Sequence, residues 1–305
     1  MIKVLFIGGR DKGFNCLKQL VNLKAKILAS YILQEDDHEL EKISLEMEEF
    51  CKRFKIPYKL SKTVKGQKER ILQLEPDLVI VSGWRTIIPA DIISLPKYGC
   101  IAFHESLLPK YRGFAPINWA VINGEKYSGV TLFYLDSGID SGDIIDQIKI
   151  PIGTEETAYD IYNKTIEASM LLLRKCYLPI IQGKAPRRKQ DHSKATYLCA
   201  RTPENGKIDW SLSTANIHNL IRGLSHPFPG AYCFLKEKKI LIQRSEIPKQ
   251  VKWDGSIPGR IASIVQGKGV EVLTGDGSIL ITSIEIDKKI YNPVDYFKSI
   301  KDRLV

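Results

Sequence analysis

Over residues 1–185 short apolar runs alternate with amphipathic stretches, while over 205–305 the runs shorten and tight turns separate them. Lys3 to Gly8, Lys26 to Ile32, Pro57 to Leu60, Asp77 to Val81, Tyr98 to Phe103, Val130 to Leu135 and Ile144 to Ile150 read as strands. Asp77 to Val81 is nearly all apolar, as a strand covered on both faces would be. Helical patterns lie between them: the stretch after Gly8, an acid-rich segment from Glu35 to Phe54, Gly66 to Leu74, Ala115 to Asn123, and a long one from Glu155 to Gln182. Strands alternating with helices predict an α/β fold with a Rossmann-like sheet over 1–185. The basic stretch GKAPRRKQDHSK, with Pro186 at its centre, predicts a linker over 186–204. Beyond it a helix from Thr214 to Leu224 precedes Ala231 to Leu235, Lys239 to Gln243, Arg260 to Val265, Val270 to Leu273 and Ser278 to Ile284. Turns such as KEKK, QGKG and GDG separate these runs at hairpin spacing, which predicts a small OB-like β-barrel domain over 205–305. The chain is expected to end on a short amphipathic helix, Val294 to Leu304.

Composition narrows the class. A chain of 305 residues, 44% hydrophobic and 26% charged, has room for two domains and the make-up of an ordinary soluble globular protein. No apolar stretch approaches the ~20 residues of a membrane helix, and no leader segment fits Met1 and the strand-like run after it, so a cytoplasmic protein without a membrane partner is expected. Six cysteines without CxxC pairs and five scattered histidines form no zinc pattern, so no metal is expected and the thiols read as reduced. The net charge of +10 fits a nucleic acid, an anionic small molecule or a lysine-rich surface.

The chemistry concentrates between Ile101 and Asp146. His104 ends one apolar run, SLLPKYRG breaks the chain after it, and DSGIDSGD follows a later strand with three carboxylates in a tight loop. In an α/β sheet ligands gather outside the carboxyl ends of strands, so neighbouring strands would let His104 meet Asp140. A nearby carboxylate raises the basicity of an imidazole and fixes its ring, giving an acid or base near neutral pH. Gly8, Gly9 and Gly13 miss the dinucleotide spacing and read as a tight strand-to-helix turn.

The runs HESLLPKYRGFAPINWAVINGE and GVTLFYLDSGIDSGDI, with RTPENGKIDW and HPFPGAY further on, resemble the folate-dependent formyltransferases over nearly the whole chain. That resemblance implies 10-formyltetrahydrofolate as formyl donor, an amine as acceptor, His104 as catalytic acid/base and Asp140 as the carboxylate that tunes it. It also implies a folate pocket around Trp84, Thr86, Ile87 and Ile88 and the loop Asp136, Ser137, Gly138, Ile139 and Asp140. Arg112, His226 and Tyr232 are candidates for the acceptor side. The family has an asparagine two residues before its histidine, where this chain has Ala102. Losing an oxyanion donor costs about 2.7–4 kcal/mol, so three explanations stay open: protonated His104, a backbone amide, Ser106 or Asn118 fills the role; the asparagine was deliberately substituted; or the chain is a weakened or non-catalytic relative.

Three functions remain open. The segment matching the basic tRNA-gripping loop of methionyl-tRNA formyltransferases carries Glu35, Asp36, Asp37, Glu39, Glu41, Glu46, Glu48 and Glu49. A phosphate backbone demands the opposite charge. This favours a nucleotide-linked amino sugar as acceptor, with nucleic acid not expected and a homodimer allowed by analogy with sugar-modifying relatives. The alternatives are a methionyl-tRNA formyltransferase, supported by the net charge, and a ligand-binding relative without turnover, motivated by Ala102.

Overall fold

A computed structural model describes residues 2–36 and 42–305. The chain divides into two compact units, one of Met1–Gly113, Gly129–Ile150 and Lys164–Tyr197, the other of Phe114–Ser128, Pro151–Asn163 and Leu198–Val305. In chain order the elements are β1 (Lys3–Gly8), α1 (Arg10–Asn22), β2 (Lys26–Leu33), α2 (Ile43–Arg53), β3 (Tyr58–Ser61), α3 (Lys68–Leu74), β4 (Leu78–Ser82) and α4 (Ala90–Ile93). Next come β5 (Cys100–His104), β6 (Arg112–Gly113), α5 (Pro116–Ile122), β7 (Tyr127–Tyr134), β8 (Ile144–Pro151), α6 (Ala158–Ile181) and β9 (Tyr197–Leu198). The remainder holds α7 (Thr214–Leu224), β10 (Ala231–Leu235), β11 (Lys238–Glu246), β12 (Ile261–Val265), β13 (Gly269–Leu273), β14 (Ser278–Ile286), β15 (Lys289–Tyr291) and α8 (Pro293–Tyr296).

The first unit is built on a seven-stranded sheet of order β3-β2-β1-β4-β5-β7-β8. Strands β3, β2, β1, β4 and β5 run parallel, and every residue of the central β4 is buried, which is why that run is apolar throughout. One face packs Val4, Phe6, Leu78, Ile80 and Ile101 against Phe14, Leu17 and Leu20 of α1 and Leu172 and Leu173 of α6. At the start of α1 a Cβ on Gly13 would stand 2.7 Å from the carbonyl oxygen of Ser82. Glycine there lets the first turn of α1 sit on the end of β4, so the glycines serve helix-to-strand approach.

The second unit holds a six-stranded antiparallel sheet of order β10-β11-β14-β13-β12, with β15 beside β14. Ile240, Ile242, Val270, Val272, Ile279 and Ile281 cover one face with Ile217 and Ile221 of α7. The period-two spacing of these residues sends them all to one side.

Three expectations change. The terminal helix stops at Tyr296, because the apolar residues beyond it serve extended chain: Phe297 and Leu304 are buried, while Val305 exchanges two backbone bonds with Phe234 and the Ile261 N–H donates to Asp302. The acid-rich helix begins only at Ile43; Asp37, Glu39 and Glu41 lie outside the described residues. Finally, β7 runs antiparallel to β5, pairing His104 with Thr131 and Ile101 with Tyr134. The end of β7 therefore lies beside the start of β5, away from His104, and the loop after it must fold back to reach the imidazole.

Candidate active site

His104 closes β5, a strand buried at all five positions. Ala102 lies two residues earlier on the same face, 7% exposed, in an apolar cluster with Val81, Leu108 and Phe133. The break after His104 is pinned by the buried Thr131, whose hydroxyl donates to the Ser106 carbonyl at 2.6 Å and accepts from the Leu108 N–H at 3.1 Å. Tyr111 then adopts φ 63, a left-handed conformation that costs a tyrosine about 1–2 kcal/mol. It is held there by its N–H donating to Thr196 Oγ1 at 2.9 Å and by the Arg112 N–H donating to the Thr196 carbonyl at 2.9 Å. The result is a carbonyl aimed at His104, 2.7 Å from Nε2.

That contact fixes the tautomer. A carbonyl only accepts, so Nε2 carries a hydrogen and Nδ1 is the basic atom of the neutral ring. The loop after β7 does fold back, and Asp140, at φ 49, places Oδ2 3.6 Å from Nδ1. This is ion-pair range but longer than a hydrogen bond, so the lone pair of Nδ1 is not tied up. Burial pushes the imidazole below its ordinary value; the Asp140 carboxylate and the Tyr111 carbonyl oppose that fall, and the Lys12 ammonium adds to it. The direction differs from the one expected of a carboxylate neighbour alone, because the ring is 6% exposed and desolvation of the cation outweighs the attraction.

Arg112 is fully buried and its donors are engaged within the fold. Nε and Nη2 donate to Gln190 Oε1 at 3.2 and 2.6 Å, and Nη1 donates to the Tyr197 hydroxyl at 3.0 Å. Gln190 in turn donates through Nε2 to the carbonyls of Asp140 and Gly142 at 2.9 and 2.7 Å. Arg112 therefore holds the loop carrying Asp140. Nothing in the local sequence around Gln190 signals this, since its partners lie 48 to 78 positions away. Of the expected substitute donors for position 102, the Ser106 hydroxyl donates to the Lys110 carbonyl at 2.7 Å and the Asn118 amide donates to the Gly223 carbonyl at 2.8 Å.

The remaining candidates of the first unit are Trp84 to Ile88 and Asp136 to Ile139. Trp84 is half-buried, and its indole N–H, itself buried, meets no partner among the described residues. Ile88 is buried, whereas Thr86 is exposed and Ile87 is 86% exposed. Asp136 caps its own loop, accepting from the Gly138 N–H at 3.0 Å and the Ser141 hydroxyl at 2.7 Å, and leaves Ser137 and Ile139 in solvent. Among the described residues no cluster of histidine, cysteine and carboxylate side chains could hold a metal ion, and no helix is long and apolar enough to cross a membrane.

Within the second unit His226 is exposed, and Tyr232 is buried with its hydroxyl donating to the Glu204 carbonyl at 3.4 Å. A recess there is lined by Ala115, Asn118, Arg201, Leu224, Phe228 and Gly230. Arg201, from the RTPENG run, stacks its guanidinium 4.6 Å from the centre of the Trp119 ring and donates to the Asn205 carbonyl at 2.7 Å. Arg201 was not among the residues the sequence singled out, although its motif was.

Residues 47–175 match the formyl transferase family and residues 201–301 match the formyl transferase C-terminal domain. The bifunctional polymyxin resistance protein ArnA of Wigglesworthia glossinidia brevipalpis is 35% identical over 320 residues, covering 100% of this chain. This chain spans about half, 49%, of that relative's length. The methionyl-tRNA formyltransferase of Alkaliphilus oremlandii is 40% identical over 219 residues, covering 72% of this chain and 69% of the relative. Among solved structures, the N-formyltransferase from Helicobacter canadensis in complex with folinic acid and dTDP-3-aminofucose superposes with a TM-score of 0.70 at 21% identity, over 92% of this chain and 99% of that one.

Proposed function

The chain belongs to the formyl transferase family, and we propose that it transfers a formyl group from 10-formyltetrahydrofolate to the primary amine of a nucleotide-linked amino sugar. The observation that carries the reaction class is the state of His104: buried, with Nε2–H committed to the Tyr111 carbonyl and a basic Nδ1 facing Asp140 at 3.6 Å.

The chemistry follows from that geometry. The acceptor amine attacks the formyl carbon as a neutral nucleophile, and the nitrogen must then lose a proton. Nδ1 of neutral His104 takes it, and the imidazolium so formed gains the Asp140 carboxylate as counter-charge. Collapse of the tetrahedral species breaks the bond between the formyl carbon and N10 of the folate, and His104 returns the proton to that nitrogen. The products are a formamide and tetrahydrofolate, and no electrons change hands. Folate is accommodated in this reading by Trp84, whose N–H meets no partner among the described residues, the exposed Ile87 and Ile139, and the polar turn from Asp136 to Asp140. A flat bicyclic ring covers apolar side chains of that kind while backbone groups reach its edge. No metal is needed for these steps.

The sugar acceptor is supported by the acid-rich run, whose described part places Glu46, Glu48 and Glu49 on α2, and the N-formyltransferase from Helicobacter canadensis, solved with dTDP-3-aminofucose, shares the fold. His226, Tyr232 and the recess with Arg201 are the acceptor side in this reading, with Arg201 suited to a phosphate or a base face. The stretch 186–204 supplies Gln190 and Thr196 to the first unit, while catalysis is assigned to 1–185 and the OB-like domain to 205–305. The bonds from 302–305 to Phe234 and Ile261, strands at opposite ends of the sheet order, support a closed barrel there.

Methionyl-tRNA is the second reading, favoured by the 40% identical relative and the net charge of +10. A panel of nucleotide-linked amino sugars and charged methionyl-tRNA, each offered with 10-formyltetrahydrofolate, separates the two by which acceptor gains the mass of one formyl group. Formylation of the tRNA alone would overturn the sugar assignment, and formylation of nothing would leave a folate-binding protein without turnover.

A further inference from the structure

We propose that the exposed face of α6, together with the basic segment that follows it, rests on an anionic phospholipid surface. From Lys164 on, the exposed residues of α6 are Glu167, Leu171, Arg174, Lys175 and Leu178, whose spacing puts them on one stripe. The other side of the helix, with Leu172, Leu173, Cys176 and Ile180, is spent on the core. Leu171 and Leu178, two turns apart, are 50% and 57% exposed, and Arg174 and Lys175 stand between them. After the helix the chain turns at Gly183, with φ 69, and the Lys184 N–H donates back to the Pro179 carbonyl at 2.8 Å.

The basic run that follows is fixed beside this stripe. The Arg188 N–H donates to the Ile144 carbonyl at 3.0 Å and the Arg188 carbonyl accepts from the Ile144 N–H at 2.8 Å, which lays the segment along the edge of β8. Lys175 of the stripe reaches the same strand, pairing with Asp146 at 2.7 Å. The Arg187 guanidinium lies 3.6 Å from the centre of the Tyr134 ring, and that ring belongs to the core α6 covers, so Arg187 stands on the helix side of the sheet. Six exposed cations, Arg174, Lys175, Lys184, Arg187, Arg188 and Lys189, thus border the two leucines, against three acids, Glu167, Asp143 and Asp146. A bilayer surface meets both halves of such a face: leucines reach the acyl boundary while cations stay among the headgroup phosphates. A second copy of the chain would set like charges together, and a nucleic acid offers the leucines nothing. The expected lack of a membrane partner rested on spanning length, and a face of this kind lies on a bilayer without crossing it.

The test is sedimentation of the full chain with vesicles. It should bind vesicles of phosphatidylglycerol and phosphatidylcholine in equal parts and not those of phosphatidylcholine alone. Lys184→Ser with Arg187→Ser should weaken that binding roughly thirtyfold, at about fivefold per cation. Leu171→Ser with Leu178→Ser should weaken it about tenfold or more. The four positions are exposed, so folding should survive, and thermal melts verify it. Lys268→Ser with Lys288→Ser removes two exposed lysines of the second unit and should leave binding nearly unchanged. Absence of binding to the anionic vesicles overturns the proposal. So does an equal loss from the Lys268 and Lys288 pair, which would mean attraction by net charge alone, and so does binding indifferent to the leucines. Retention of tRNA through Lys184 and Arg187 without any binding of vesicles would give the face to nucleic acid instead.

Discussion

The backbone N–H of Gly113 donates to Asp140 Oδ2 at 2.8 Å, and that same oxygen stands 3.6 Å from His104 Nδ1. The turn that follows the imidazole along the chain thus holds the carboxylate that faces it. Gly113 sits at φ 99, in the left-handed region where a Cβ is strained. Gly113→Ala is expected to re-aim the N–H, lowering kcat about tenfold or more with little change in KM, together with a modest fall in Tm. Steady-state kinetics and a thermal melt check this; an unchanged kcat would show that Asp140 needs no such anchor.

Replacing the carboxylate isolates its charge. Asp140→Asn keeps the shape of the side chain, and since Asp140 raises the imidazole's basicity, its loss moves the His104 midpoint further down. In the proposed reaction the imidazolium also loses its counter-charge. The expected outcome is an acid limb displaced to lower pH and a kcat reduced by about a hundredfold or more, read from a pH–rate profile.

Much of the first unit was legible in its apolar runs, because a strand covered on both faces, such as β4, has almost no other way to read. The second unit was legible in its turns, since KEKK, QGKG and GDG punctuate the strands that form the antiparallel sheet. Strand direction was not legible. Whether β7 runs with or against β5 is set by the path between His104 and Tyr127, which no local pattern encodes. The candidate site was legible only in part for the same reason: His104 and Asp140 stand in recognisable runs, but Gln190 acts through partners tens of residues away. The tail was misread because the helix-compatible spacing of Phe297 and Leu304 is used by chain that bonds to neighbouring strands.

Gln190 offers a second way to loosen Asp140. Its Oε1 accepts two bonds from the buried Arg112 and its Nε2 donates to the Asp140 and Gly142 carbonyls. Gln190→Ala leaves part of a buried guanidinium and two carbonyls without partners, at a cost of about 2–4 kcal/mol. Urea unfolding should show a lower midpoint with an unchanged slope, and kcat should fall as the loop loses its hold. A loss of stability without loss of kcat would place Gln190 in the scaffold alone.

Acid should destabilise the fold through its buried histidines. Burial holds both His104 and His218 below the ordinary imidazole value of 6.5. The folded chain stays neutral at these positions while the unfolded chain takes up protons below 6.5, so the unfolded state binds more protons there. Their contribution to stability is fully present above that pH and is lost as the pH falls through it toward the folded values. Urea midpoints measured between about pH 7.5 and 5 should decline with acid, and His218→Asn should flatten the slope without touching the active site.

Ala102 gives the sharpest prediction because two effects of one substitution run in opposite directions. The side chain at 102 lies on the same face of β5 as His104, so an asparagine there presents its amide on the side of the imidazole. If an oxyanion forms in the transition state, a new donor is worth up to about 2.7–4 kcal/mol, or roughly a hundred- to a thousandfold in kcat. The same position is 7% exposed and packed against Val81, Leu108 and Phe133, so the amide enters an apolar cluster at a cost of about 1–3 kcal/mol when nothing is bound to satisfy it. Ala102→Asn should therefore raise kcat while lowering Tm, and tetrahydrofolate should leave much of the Tm loss in place because it lacks the formyl oxygen. A variant that loses stability and gains no rate would mean that another group already serves the oxyanion, and that the alanine is the residue this packing requires.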